Sequence, residues 1–186
     1  MVLYEFTVIV IAVVSLLILR KFDKKVLRNF ITVFIGIILL QYFTQALWLT
    51  VGLAKWSYLY QGVNWIITIG RTTMVIVSMA IIDLAFPRFS ERARFGLYFI
   101  PILISGLIGE AISSGRGTIQ YHPQLLEAFS GIKILGSVPI EAIYYIPFFM
   151  LLAISFARYW QIILDSSAAN NKVIKKKAAN KKGGLK

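Results

Sequence analysis

The stretch that decides the fold is WIITIGRTTMVIVSMAIIDLAF, residues 65–86, mostly apolar, its only charged residues Arg71 in its interior and Asp83 near its end. A run of about 20 apolar residues is what a helix needs to cross the ~30 Å hydrocarbon layer of a bilayer. Four further runs of that kind flank it, at residues 2–19, 30–54, 95–112 and 135–157. Charges or turn formers bound them: Arg20-Lys21, Lys55, Pro87-Arg88 and Ser113-Ser114-Gly115. Five such runs predict an all-α integral membrane bundle of five transmembrane helices.

Composition agrees. Of the 186 residues 58% are hydrophobic and 15% charged, against about 45–50% and 25% in soluble domains, and the mean hydropathy is +0.75. With no cysteine, disulfides, iron–sulfur clusters, thiolate nucleophiles and Cys-type zinc sites are excluded. A single histidine, His122, excludes a two-histidine metal site within the chain, and no cofactor is expected. The first apolar run has neither a basic leader nor a small-residue cleavage site, so no cleavable signal peptide is expected.

The basic residues orient the bundle. Five lie in 20–29, three in 87–94 and eight from Arg158 onward, whereas the loops on the other side hold only Lys55, Arg116 and Lys133. Basic loops stay on the cytoplasmic side, so the N-terminus is expected outside and the C-terminus inside the cell membrane. Residues 1–160 form the transmembrane domain; 161–186 are expected to be a basic, disordered cytoplasmic tail. No aromatic residue is interleaved with the tail's lysines to stack on bases, so anionic lipid headgroups, not nucleic acid, are its expected partner.

Within the spans the informative residues are those that cannot reach water. Gln41, Thr44, Gln45 and Trp48 fall at i, i+3, i+4 and i+7 and would form one helical stripe. Thr68, Arg71 and Thr72 share a face of the third span, Glu110 lies near the outer end of the fourth, and Glu141, Tyr144 and Tyr145 share a face of the fifth. Asp83, at the inner end of its span beside Arg88, reads as an interfacial ion pair. Such groups can simply bond helices together, at about 0.6 kcal/mol each. Two acids with only one arginine exceed that need, and ionisable groups inside a membrane are functional candidates.

Residues 109–149 resemble the repeat of the membrane-embedded lycopene cyclase domain, the family of small heterodimeric or fused carotenoid cyclases. The resemblance rests on GEAI with Glu110, IQYHP with Tyr121, GIKILG from Gly131, and PIEAIYY with Pro139 and Glu141. The chain departs from the family pattern at Ala142, which replaces the second glutamate of the paired-acid motif, at Ile119 in place of the loop tryptophan, and at Tyr144-Tyr145 in place of a phenylalanine pair. A first, more degenerate repeat aligns Gly62 with Gly131 and Gly70 with Pro139, with Trp56 and Tyr58 as the loop element, Gln45 in the role of Glu110, and Thr72 at the motif glutamate.

The resemblance implies a redox-neutral isomerisation of an apolar isoprenoid polyene: an acid protonates a terminal alkene, the cation closes a ring, and a base removes a proton. Glu141 would be the acid, kept protonated by burial, with Glu110 as its partner or as the base. Trp48, Tyr144 and Tyr145 would turn π faces to the cation; Gln41, Gln45, Arg71 and Tyr121 would complete the substrate site. Arg71 would ionise whichever acid it pairs with. Pro139 also has a plain reading, as the first residue of the fifth helix, with Glu141 a stabilised anion in its first turn.

Two other functions fit the same residues. One is a non-enzymatic lipid- or isoprenoid-binding protein or a subunit of a larger homo- or hetero-oligomer. The other is proton or solute translocation through Arg71 and the two acids. A retinal protein is not expected, because no span carries an interior lysine.

Overall fold

The structure, a computed structural model, describes residues 2–45, 47–60 and 62–183. It is predominantly helical. Four helices are long and apolar enough to cross a membrane, Val26–Phe43, Trp65–Ala85, Glu91–Gly115 and Ala142–Ser167, and a shorter apolar helix, Leu3–Leu19, joins them.

Helix α1 (Val2–Leu19) and helix α3 (Trp65–Ala85) occupy the runs read from hydropathy. Asn64 starts α3: its side-chain oxygen accepts the N–H groups of Ile66 and Ile67, two of the donors a helix leaves unpaired at its start. Helix α2 (Val26–Phe43) ends well before the expected residue 54. Beyond it come strand β1 (Trp48–Thr50), a single 3-10 turn (Lys55–Ser57), and the two-stranded hairpin of β2 (Tyr58–Tyr60) and β3 (Val63–Asn64). Gly52 has φ 74°, a conformation that a helix excludes and glycine accepts. Gln41 and Trp48 therefore do not share a helical stripe.

The chain then turns through α4 (Glu91–Leu97), which Ser90 caps, into α5 (Phe99–Gly115). Strand β4 (Ile119–Tyr121), helix α6 (Pro123–Ala128) and the hairpin of β5 (Lys133–Ile134) and β6 (Val138–Pro139) lead into the last helix, α7 (Ala142–Gly183). The run expected to be helical from residue 135 thus begins as a hairpin, turning at Leu135 (φ 47°) and Gly136 (φ 81°). Pro139 lies in β6, not in the first turn of a helix. At the other end, α7 extends through Gly183 where a disordered tail was expected; alanine and lysine, which fill that segment, are strong helix formers.

The order helix, strand, short helical turn, hairpin, helix occurs twice, from α2 to α3 and from α5 to α7. The two segments meet through antiparallel β1 and β4, paired Trp48 with Tyr121, Leu49 with Gln120 and Thr50 with Ile119. The hairpins match Val63–Asn64 to Val138–Pro139, so the alignment of Gly70 with Pro139 does not hold.

Helix α3 packs against α1, α2 and α5, and α7 packs against α2 and α5. Val33, Ile37, Val75, Ile102 and Ile154 meet in the shared core. Glycines let the helices approach: a Cβ on Gly36 would lie 2.9 Å from the Phe156 ring, and one on Gly106 would collide with Ile146. Such small-residue contacts characterise packing in lipid, where no hydrophobic force draws helices together. The outer faces are apolar as well, with Phe6, Leu17, Ile104 and Phe148 exposed.

At the end of the bundle away from the strands, Asp83 pairs not with Arg88 but with Arg94 (2.9 Å) and Arg158 (3.2 Å), and the Tyr98 hydroxyl donates to it at 2.7 Å. One carboxylate there joins α3, α4, α5 and α7.

Candidate functional site

Between α1, α3, α5 and α7, at their strand-facing ends, lies a cavity of about 420 Å³, within the usual size range of small-ligand sites. Its walls are mostly apolar, including Ile66, Ile67, Met74, Ile146 and Met150. Among the described lining residues Glu110 is the only acid and Arg71 and Arg116 are the only bases.

Three of the expected site residues form one hydrogen-bonded chain. The Tyr121 hydroxyl donates to Glu110 Oε1 at 2.6 Å and lies 2.7 Å from the Tyr145 hydroxyl. Tyr121 has one proton, so when it serves Glu110 the second bond takes its proton from Tyr145. Burial, and then the neighbouring Glu110 charge, push the Tyr121 phenol above its ordinary range. Its position comes from β4, whose pairing with β1 sets Tyr121 opposite Trp48.

Trp48 and Tyr145 stack with ring centroids 5.9 Å apart, and Phe149 meets the Trp48 edge at 5.7 Å. Phe129 also stacks with Tyr145, at 6.3 Å. Arg71 lies with its guanidinium carbon 5.5 Å from the Trp48 ring centre. Among the described residues it forms no ion pair with an acid, so the expected pairing with Glu110 or Glu141 is absent.

Glu141 does not line this cavity, contrary to the expectation that both acids face one space. It immediately precedes α7, and its Oε1 accepts the Ser130 backbone N–H at 2.7 Å. That amide holds the carboxyl below its ordinary range, because a hydrogen bond donated to a carboxylate favours the ionised form. This is opposite to what a proton donor requires.

The remaining candidates lie outside the cavity. Gln41 is 3% exposed and accepts the Thr68 hydroxyl at 2.7 Å, which fastens α2 to α3. Gln45 donates to the carbonyl of Tyr42 just beyond the helix end. Tyr144 is 63% exposed on the outer face of α7. Ending α2 at Phe43 removes Gln45 from its stripe, and the step of about 100° between successive helical residues turns Tyr144 outward while Tyr145 points in.

Sequence reasoning missed Glu5. It is fully buried, its Oε1 accepts the Ala54 N–H at 2.7 Å, and its Oε2 has no partner among the described residues. An acid four residues into an apolar run was the available signal. It fastens α1 to the loop before α3. Arg116 lies over the ring of the residue preceding Glu5, Tyr4, at 5.2 Å.

The arrangement can deliver a proton, through Glu110 and the two phenols, into a space walled by hydrocarbon and aromatic rings. It can also hold an anion, through two guanidiniums. No family model matches the chain, and neither a curated protein nor a solved structure shows significant similarity to it.

Proposed function

We propose that this chain is a multi-pass protein of the cell membrane, spanning it with α1, α2, α3, α5 and α7, with the N-terminus outside and the C-terminus inside. The recurring element order supports two degenerate repeats. The basic residues concentrated at the Asp83 end support the orientation.

Its cavity takes the apolar end of an isoprenoid polyene and carries out a redox-neutral cyclisation of the kind performed by lycopene cyclases. The observation that carries this reading is Glu110, the one acid among the described residues lining an apolar, aromatic-walled cavity. Protonated Glu110 adds its proton to a terminal C=C. The next C=C attacks the resulting tertiary cation, forming the ring bond and moving the charge. Glu110, now a carboxylate, removes a neighbouring proton and restores the alkene. Atoms and electrons balance without an oxidant. Trp48, Tyr145 and Phe149 line the cavity beside the forming cation, and Tyr121 orients the carboxyl. Glu110 thus takes the role that the sequence assigned to Glu141.

A second reading, isoprenoid or lipid binding without turnover, is favoured by Arg71: a guanidinium over the Trp48 face raises the energy of any cation formed beside it. Pigment extracts from a lycopene-producing host separate the two. Expression of the parent chain and of Glu141→Gln should yield ring-closed product, and Glu110→Gln none. An open-chain polyene that copurifies with every variant, unconverted, would establish binding alone. Neither product nor copurifying polyene from folded protein would overturn both readings.

A further inference from the structure

We infer that the cavity binds an amphiphile with a phosphate head: Arg71 and Arg116 hold the head, and the apolar walls hold the tail. That the tail is isoprenoid rests on the second reading above, binding without turnover; that the head is an oxyanion rests on the two arginines.

Both guanidiniums line the cavity. Among the described residues, neither forms an ion pair, and no side-chain hydrogen bond from either is present, whereas Arg28, Arg94 and Arg158 all donate to carboxylates. Each lies instead over an aromatic ring, Arg71 over Trp48 and Arg116 over Tyr4. A guanidinium on a ring face keeps the N–H groups of its edge free for a planar partner. Arg71 is half-buried and Arg116 exposed at the cavity rim, so both guanidiniums are open to an acceptor that arrives with a ligand.

Glu110 does not fill that role. Its Oε1 is taken by the Tyr121 hydroxyl, and one carboxylate leaves two guanidiniums with an excess positive charge. Arg116 is the cap residue at the strand-facing end of α5, and Arg71 lies deeper, within α3. A head entering from the membrane surface would meet Arg116 first and Arg71 beyond it. A phosphate monoester, carrying nearly two charges at neutral pH, can accept paired bonds from both. Deeper than Arg71 the walls are Ile11, Met74 and Met150, which suit a hydrocarbon tail.

The test uses the full chain in phosphatidylcholine nanodiscs. Tryptophan fluorescence is followed on titration with geranylgeranyl phosphate, geranylgeraniol or inorganic phosphate, and a Trp48→Phe variant isolates the signal beneath Arg71. The phosphate ester should bind at least tenfold more tightly than the alcohol, and inorganic phosphate far more weakly than either. Arg71→Gln and Arg116→Gln should each reduce the ester's advantage and leave the alcohol's affinity unchanged. Equal binding of ester and alcohol would overturn the head-group assignment and leave the cavity reading intact. Inorganic phosphate binding as tightly as the ester would overturn the need for a tail. If neither amphiphile bound saturably, the cavity reading beneath it would fail. Gly70→Leu is the control for that: a Cβ on Gly70 meets only the Val8 methyl, at 3.5 Å, so the larger side chain would extend into the cavity and weaken ester and alcohol alike. Phosphatidate added to the discs identifies the source of the head: competition marks a bilayer phospholipid, and its absence a single-tailed ester.

Discussion

Tyr121 and Glu141 show how differently two polar contacts of similar length act. The Tyr121 hydroxyl bridges Glu110 and Tyr145, so Tyr121→Phe leaves a buried carboxylate without its donor. The expected cost is about 1–3 kcal/mol, read as lowered thermal stability in detergent, together with loss of any turnover that depends on Glu110. Glu141 is bound by a backbone amide, so Glu141→Gln should loosen the loop around Ser130 and spare the cavity. Because the folded-state value of Glu141 lies below its unfolded one, its contribution is present above the ordinary carboxylate range near 4.3. It is lost as pH falls through the folded value. The melting temperatures of parent and variant should therefore differ at neutral pH and converge in acid; a gap that widened in acid would refute the assignment. At this scale the sequence showed that Glu110, Arg71, Trp48 and Tyr145 are out of place in an apolar segment, the resemblance added Tyr121, and these five do gather. It could not show Glu141's partner, because a loop N–H is common to nearly every residue type and leaves no trace in composition.

Helices α1 and α3 were legible because hydropathy alone marks them, and α5 was legible in its central turns. Segments 44–64 and 135–141 were not. Their strands are as apolar as the helices beside them, and a short apolar run looks the same in either conformation. The pairing of β1 with β4 joins residues far apart in sequence, which periodicity cannot detect. Helix contacts were equally hidden: nothing in GLIGEAI marks Gly106 as the glycine pressed on Ile146. Gly106→Leu should destabilise the α5–α7 contact by about 1–3 kcal/mol, the usual cost of overpacking. Gly96→Ala, with nothing within 4 Å of the new Cβ, should leave the melting temperature nearly unchanged. Equal shifts in the two variants would mean that the helices do not meet at Gly106.

For the whole molecule, the absence of cysteine makes the proposed orientation straightforward to test. Single cysteines at Arg92 and Gln124, both exposed, should fall on opposite sides of the membrane. A membrane-impermeant maleimide applied to intact cells should label Gln124→Cys alone, and labelling of Arg92→Cys instead would invert the topology. The proposed orientation rests on the charge asymmetry of the sequence. The relation between the two halves was only half readable, because the matching elements are loops of different length with few residues in common.

The two halves are unequal in one respect. Helix α1 covers α3 and forms one wall of the cavity, whereas the second half is preceded only by the seven-residue α4. A two-fold relation carried through the whole chain would create two chambers, but the second lacks its outer wall. Saturation should therefore come at a stoichiometry of one ligand per polypeptide, with a single-class isotherm and no cooperativity between half-sites.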